Sequence, residues 1–265
     1  MSEDIIAEVT GGIATLTFNR PKALNALNDG ITGGAIRFVE QIERDAAVRC
    51  LIIRGAGDHF MAGGDLKRFQ TFLAMSADER RLTFEREIAE VHRLILMLRR
   101  MAKPVIASVQ GACAGFGLSL AMATDLIVAA ENAYFTLAYV NIGATPDGSG
   151  SYFLPRLVGL KKAMEIALLG DRFDAATAAR IGIVNFVVPP AELEAATAKL
   201  AGRLARGPAI AIGRTKALLN ASLERSLESE LQAEADSFAA CAATDDWAEG
   251  IRAFIEKRKP AFAGR

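Results

Sequence analysis

Apolar positions along this chain switch between alternation and helical spacing, and the switches mark out its elements. Ile5 to Val9 and Ile13 to Phe18 alternate on either side of Gly11-Gly12 and read as a hairpin. From Asn28 to Arg44, the residues Ile31, Ala35, Phe38, Val39 and Ile42 recur at helical spacing, and the apolar run Arg49 to Ile53 that follows is a strand. The same rhythm returns further on. A helix is predicted from Ala77 to Arg100 with Phe84, Ile88, Val91, Ile95 and Leu98 on one face, and it feeds a strand from Val105 to Val109. Phe116 to Ala123 reads as a helix and Leu126 to Ala129 as a buried strand. Ala163 to Leu169 and Ala175 to Ile181 read as helices, and Ile183 to Val188 as a last strand before Pro189-Pro190.

After that proline pair the pattern is helical only: Ala191 to Ala205, Pro208 to Leu219, Leu227 to Thr244 and Asp246 to Lys257, broken at Gly207-Pro208. The expected organisation is an α/β core over residues 1–190 followed by a helical region over 191–265. Leu223, Leu227, Leu231, Phe238 and Phe254 give that region apolar positions that either cover the core or pack on another subunit.

Composition narrows the function classes. With 51% hydrophobic residues the chain can bury a substantial core, and Lys+Arg equal Asp+Glu at 31 each, so overall charge points to no nucleic acid and no anionic membrane as partner. Cys50, Cys113 and Cys241 are odd in number and far apart, which indicates neither a disulfide framework nor a metal site and fits a reducing, cytoplasmic setting. The opening MSEDIIAEVTGG lacks the layout of a secretory leader, and no apolar run reaches membrane-spanning length.

The chemistry concentrates between Pro104 and Gly150, where a buried strand leads into a glycine-hinged helix start and then to a lone acid, Asp147. Such a helix start aims unpaired N–H groups and the positive end of the helix dipole at whatever lies above it, an arrangement suited to an oxyanion. Gly117-Leu118-Ser119-Leu120-Ala121 brushes against a nucleophile elbow. Its last residue is alanine, however, and His59 and His92 both precede the serine, contrary to the chain order of that hydrolase fold. The glycine loops lack dinucleotide-binding spacing, so no redox cofactor is expected.

Five segments in order resemble the crotonase (enoyl-CoA hydratase/isomerase) superfamily: Asn19 to Leu27, Phe60 to Leu66, Lys103 to Ala107, Gly111 to Gly117, and Phe254 to Pro260. The resemblance implies a spiral of ββα turns, a C-terminal helical region that builds trimers or dimers of trimers, and an acyl-CoA thioester as substrate. Coenzyme A would thus arrive as part of the substrate, with no separate cofactor. It further implies oxyanion donors at the N–H groups of Gly64 and Phe116, a nucleotide lying against Lys22, Ala23 and Leu24, and an adenine near the backbone of Ala62, Gly63, Gly64, Asp65 and Leu66. Lys257 would serve the nucleotide of a neighbouring subunit.

Hydratases of that superfamily hold two glutamates over the substrate, and the matching positions are Ser119 and Tyr139, small and phenolic pocket residues that stay protonated near neutral pH and make poor bases. The two-glutamate hydration is therefore not expected. The run Phe135 to Asp147 resembles the branch containing phenylacetate-pathway enoyl-CoA isomerases, which implies Asp147 as the proton shuttle for double-bond migration. Pro146-Asp147-Gly148 is also an ordinary turn sequence. An apolar setting supplied by Phe116, Phe153 and Leu154 would raise the Asp147 pKa. His92 shares a helical face with Ile88 and Ile95 and reads as a packing residue. Its spacing to Pro104, and that of Pro104 to Asp147, also resembles aryl-CoA dehalogenases, in which a histidine activates water and the aspartate attacks. Hydrolytic dehalogenation or thioester hydrolysis is thus a second reading, and a CoA-binding scaffold without catalysis a third. Phe69, Phe72, Leu73, Phe84, Tyr139 and Phe153 are candidates for an apolar or aromatic acyl pocket.

Overall fold

The computed structural model describes residues 3–264; Met1 and Ser2, read above for a leader, and Arg265 lie outside the described residues. The chain opens with the hairpin β1 (Ile5–Thr10) and β2 (Ile13–Phe18), then α1 (Asp29–Arg44), β3 (Cys50–Gly55), a short α2 (Leu66–Thr71), and α3 (Ala77–Arg100). There follow β4 (Val105–Val109), β5 (Ala112–Ala114), α4 (Phe116–Ala123), β6 (Leu126–Ala130) and β7 (Tyr134–Thr136). Next come α5 (Gly150–Val158), α6 (Leu160–Leu169), β8 (Phe173–Asp174), α7 (Ala175–Arg180) and β9 (Phe186–Val188). The helices α8 (Leu193–Ala205), α9 (Ala209–Ala221), α10 (Leu227–Ala242) and α11 (Asp245–Ile255) complete the described chain.

Two sheets result. The larger runs β1-β2-β3-β4-β6-β9, antiparallel at the hairpin and parallel beyond it, and the smaller runs β5-β7-β8. The chain visits each in turn, from β4 to β5 and from β6 to β7, with helices carrying it onward, which is the expected ββα spiral. Side-chain alternation splits the large sheet between two cores. Leu51, Ile53, Val105, Ala107 and Val109 face a core shared with α1 and α3. Cys50, Ile52, Ile106 and Val128 face a smaller one closed by Leu193 and Ala201 of α8. Every residue of β4 is buried, as a parallel strand covered on both faces should be.

The long helices end where their sequences say they should. Asn28 caps α1 by accepting from the Ile31 N–H at 2.9 Å, and Ser76 and Glu79 form a reciprocal capping box on α3. The apolar stripe of α3 changes purpose along its length. Val91, Ile95 and Leu98 enter the core, joined by Leu94, whereas Phe84 and Ile88 are half-buried on the wall of a cleft.

Several expectations are revised. The strand foreseen over Ile183–Val188 is shortened to Phe186–Val188, because the N–H groups of Ile183 and Val184 both donate to Ala178 O at the end of α7. The helix α5 escaped notice since it begins in glycine and contains Pro155. In the single chain, Leu223, Leu227, Leu231, Phe238 and Phe254 do not cover the core: all are exposed, and no residue of α10 is buried. Among the described residues no helix is long and apolar enough to cross a membrane.

Candidate active site

Two loops meet above the C-terminal ends of the central strands. Met61 and Cys113 form a parallel bridge in which the Met61 N–H donates to Ala112 O at 3.0 Å and the Ala114 N–H to Met61 O at 2.9 Å. Three residues beyond the bridge on each strand stand Gly64 and Phe116. Among the described residues neither of their N–H groups has a hydrogen-bond partner, and both residues line the cleft. Phe116 owes its free donor to its place at the first position of α4, where no earlier turn supplies an acceptor. Gly115 makes this possible: with φ 52° and ψ −123° it adopts a conformation that a residue with a Cβ resists, and its Cα lies 3.6 Å from where a Cβ on Gly63 would stand.

A third segment braces the pair. The Ala62 N–H donates to Leu24 O at 3.0 Å and the Leu27 N–H to Gly63 O at 2.7 Å, so Lys22, Ala23 and Leu24 run beside the Ala62–Leu66 loop without forming the cleft wall. Lys22 and Leu24 are exposed. Asp65 faces away from the cleft. Its carboxylate pairs with Arg20 at 2.8 Å and caps α2 by accepting from the N–H groups of Lys67 and Arg68. Buried Asn25, in a left-handed turn, accepts from the Arg20 N–H and donates to Ala56 O and His59 O. Arg20 and Asn25 lie inside the matched Asn19–Leu27 segment, yet nothing in the pattern marks either as a brace.

The cleft encloses about 1020 Å³. One end is aromatic: Phe69, Phe72 and Phe84 lie with ring centroids 5.1 to 6.2 Å apart, and Leu73 and Tyr139 extend the wall. Phe153 does not contribute; it lies under the Arg99 guanidinium, 4.7 Å from the ring centroid, and edge-on to Tyr152.

Asp147 reaches this cleft from the turn before α5. Packing fixes it there. A Cβ on Gly148 would come within 2.5 Å of two Phe116 ring carbons, and one on Gly150 within 2.7 Å of Ser119 Oγ, so the turn is pressed onto the first turns of α4. Burial pushes the Asp147 carboxyl above its ordinary pKa, while a hydrogen bond from Tyr139 and the nearby His92 ring pull it back. The Tyr139 hydroxyl donates to Asp147 Oδ1 at 2.5 Å and lies 3.2 Å from Ser119 Oγ. The other carboxylates on the cleft wall, Asp29, Glu87 and Glu90, face Arg68 or Arg93, whereas Asp147 pairs with no arginine or lysine among the described residues.

Two expectations need correction. Ser119 does not open onto the acyl cleft: it is 0% exposed, closed off by the backbone at Gly150 and the Tyr139 phenol. His92 is not a packing residue but exposed, and its Nε2 accepts from the Gly148 N–H at 3.3 Å, so the nitrogen a water-activating base would use is already engaged.

A two-sheet spiral with paired free N–H donors beside a half-buried acid defines an enzyme of the crotonase fold, and residues 8–265 match the enoyl-CoA hydratase/isomerase family, to which the chain belongs. It is 36% identical to the 1,2-epoxyphenylacetyl-CoA isomerase of Escherichia coli over 265 residues, all of both chains. It is 41% identical to the crotonyl-CoA hydratase of Syntrophomonas wolfei over 264 residues, 99% of each. The solved structure of an enoyl-CoA hydratase from a Polaromonas species superposes with a TM-score of 0.92 at 33% identity, covering 97% of this chain and 99% of that one. Isomerase and hydratase names both occur among these relatives, so membership leaves the reaction to be argued from the site.

Proposed function

We infer that the enzyme acts on acyl-CoA thioesters and moves a carbon–carbon double bond by proton transfer through Asp147. The observation that carries this reading is a half-buried carboxylate without an arginine or lysine clamp, on a turn whose Gly148 packs against the ring of Phe116, the residue that offers one of the two unpaired N–H groups. A thioester whose carbonyl oxygen lies between Gly64 and Phe116 becomes more acidic at the adjacent carbon, because the negative charge of its enolate falls on those donors. Asp147 removes a proton from one carbon and returns it to another. Its raised pKa suits that exchange, since a base must also give the proton back. Ser119 and Tyr139 supply no second carboxylate, which argues against hydration by an acid pair.

The nucleotide is assigned to the exposed Lys22-Ala23-Leu24 turn beside the Ala62–Leu66 loop, and the acyl group to the Phe69, Phe72 and Phe84 end, which fits an apolar or aromatic chain. No separate cofactor is needed for this chemistry. The exposed apolar residues after Leu219 are assigned to contacts between copies in a trimer or a dimer of trimers.

The closeness of His92 to Asp147 keeps the hydrolytic reading concrete enough to test. Single-turnover incubation of the enzyme with acyl-CoA thioesters in heavy-oxygen water separates the two. Proton shuttling leaves the Asp147 carboxylate unlabelled; label on that residue establishes a covalent route through a substrate ester or anhydride of Asp147 and defeats the isomerase assignment.

A further inference from the structure

Tyr139 is held at both its backbone and its hydroxyl and has no task in the scheme above beyond lining the cleft. It opens a single helical turn after Ala138, which is left-handed at φ 44°, and its backbone is pinned by the Tyr139 N–H to Leu137 O and by the Ala144 N–H to Tyr139 O. Its hydroxyl touches Ser119 Oγ at 3.2 Å and Asp147 Oδ1 at 2.5 Å. Burial and the nearby Asp147 charge push the phenol far above its ordinary pKa, so the proton stays on the phenol and the bond runs from Tyr139 to Asp147. The phenol oxygen is then free to accept from Ser119, whose hydroxyl has no exposure to solvent.

The geometry points to Tyr139 as a positioning residue that ties down one carboxylate oxygen of Asp147 and leaves the other, Oδ2, to carry the substrate's proton. The inference rests on Asp147 being the base. In the forward step an O–H bond forms at Oδ2 as the C–H bond of the thioester breaks, and the electron pair moves onto the carbonyl oxygen held by Gly64 and Phe116. In the return step the Oδ2–H bond breaks and the proton joins the distant carbon, bonding to the π pair of the original double bond, while the oxygen pair restores the carbonyl and the enolate C=C pair shifts one bond along to become the displaced double bond. Holding Oδ1 serves both steps, because one oxygen placed over both carbons shortens the path of a shared proton.

The groups facing Asp147 are Tyr139 from this turn and His92 from α3. A donor to a carboxylate favours its charged form, so losing the phenol hydroxyl makes Asp147 harder to ionise. The test is the pH dependence of kcat/KM for conversion of vinylacetyl-CoA to crotonyl-CoA by the purified full chain. In Tyr139→Phe the acidic limb moves to higher pH by about one unit or more. With fluorotyrosine at position 139, which keeps the shape and donates more strongly, the limb moves to lower pH. Opposite displacements cannot come from a merely structural role, and the fluorotyrosine protein decides the matter alone if the Phe variant does not fold. Limbs that coincide with the unsubstituted enzyme overturn the inference about Tyr139. Asp147→Asn keeps that outcome separate: an inactive Asn variant with unmoved limbs removes only Tyr139 from the scheme, whereas an active one removes the base itself.

Discussion

At the scale of single residues the chemistry rests on Asp147, and the half-burial of its carboxyl has two expected consequences. Asp147→Asn lowers turnover of a β,γ-unsaturated acyl-CoA by about 10²–10⁴ while leaving thioester binding within a few-fold, measured by steady-state kinetics and by calorimetry with a non-reactive acyl-CoA. The same change raises the melting temperature at neutral pH. The sign follows from the direction of the pKa: the folded state holds the Asp147 proton more tightly than the unfolded chain does, so stability is lost as pH climbs from the unfolded carboxylate value through the raised folded one. Asparagine removes that loss, and the two proteins converge in melting temperature below the unfolded carboxylate value. Asp147 was legible in the sequence because it sits in a run that matches a branch of the family. Its bond to Tyr139 was not, since the two stand eight positions apart across a single helical turn and a loop, and no periodicity brings them together. The histidine was misplaced for a related reason: helical spacing puts His92 on a face with Ile88 and Ile95, but at this point of α3 the side chain is exposed and meets the Gly148 N–H of a turn distant in sequence.

At the scale of elements, the site depends on how α4 begins. Gly115→Ala forces a side chain into a positive-φ conformation and is expected to cost about 1–3 kcal/mol of stability. Any rotation that relieves the strain turns the Phe116 N–H away from the cleft, so turnover falls by about 10²–10³ even in molecules that remain folded. Chemical denaturation and kinetics on the same preparation read the two effects separately. Unchanged activity alongside a lowered denaturation midpoint would show that Phe116 N–H is not an oxyanion donor. The long elements were readable because their periods persist: α3, β4 and α4 begin and end where the pattern places them. The strands of the second sheet were not. With three residues or fewer, β5, β7 and β8 are too short to display a period, yet β5 carries the bridge from Cys113 to Met61 that sets Gly64 beside Phe116. The oxyanion geometry was therefore inferable from family order but not from pattern.

At the scale of the whole molecule, the helices after α8 leave Leu227, Leu231, Phe238 and Phe254 exposed by 70%, 55%, 69% and 85%, an apolar surface that a lone copy would present to water. Sedimentation is expected to find a trimer or hexamer, and Phe238→Glu to shift the population toward smaller species; a monodisperse monomer for the unsubstituted chain would refute the assembly assigned to this surface. The sequence pattern marked these residues as apolar but could not tell a cover from an interface, because both present the same stripe. What unites the molecule's parts is a single claim, that the two loops and the turn before α5 assemble an enolate-stabilising site with one working acid. The most direct test follows deuterium by mass spectrometry and NMR as the enzyme converts vinylacetyl-CoA to crotonyl-CoA in deuterated water. Double-bond migration with exchange at the carbon next to the thioester is expected in the unsubstituted enzyme, and the loss of both in Asp147→Asn. Migration and exchange that persist in Asp147→Asn, or an unsubstituted enzyme that produces neither, would contradict that claim.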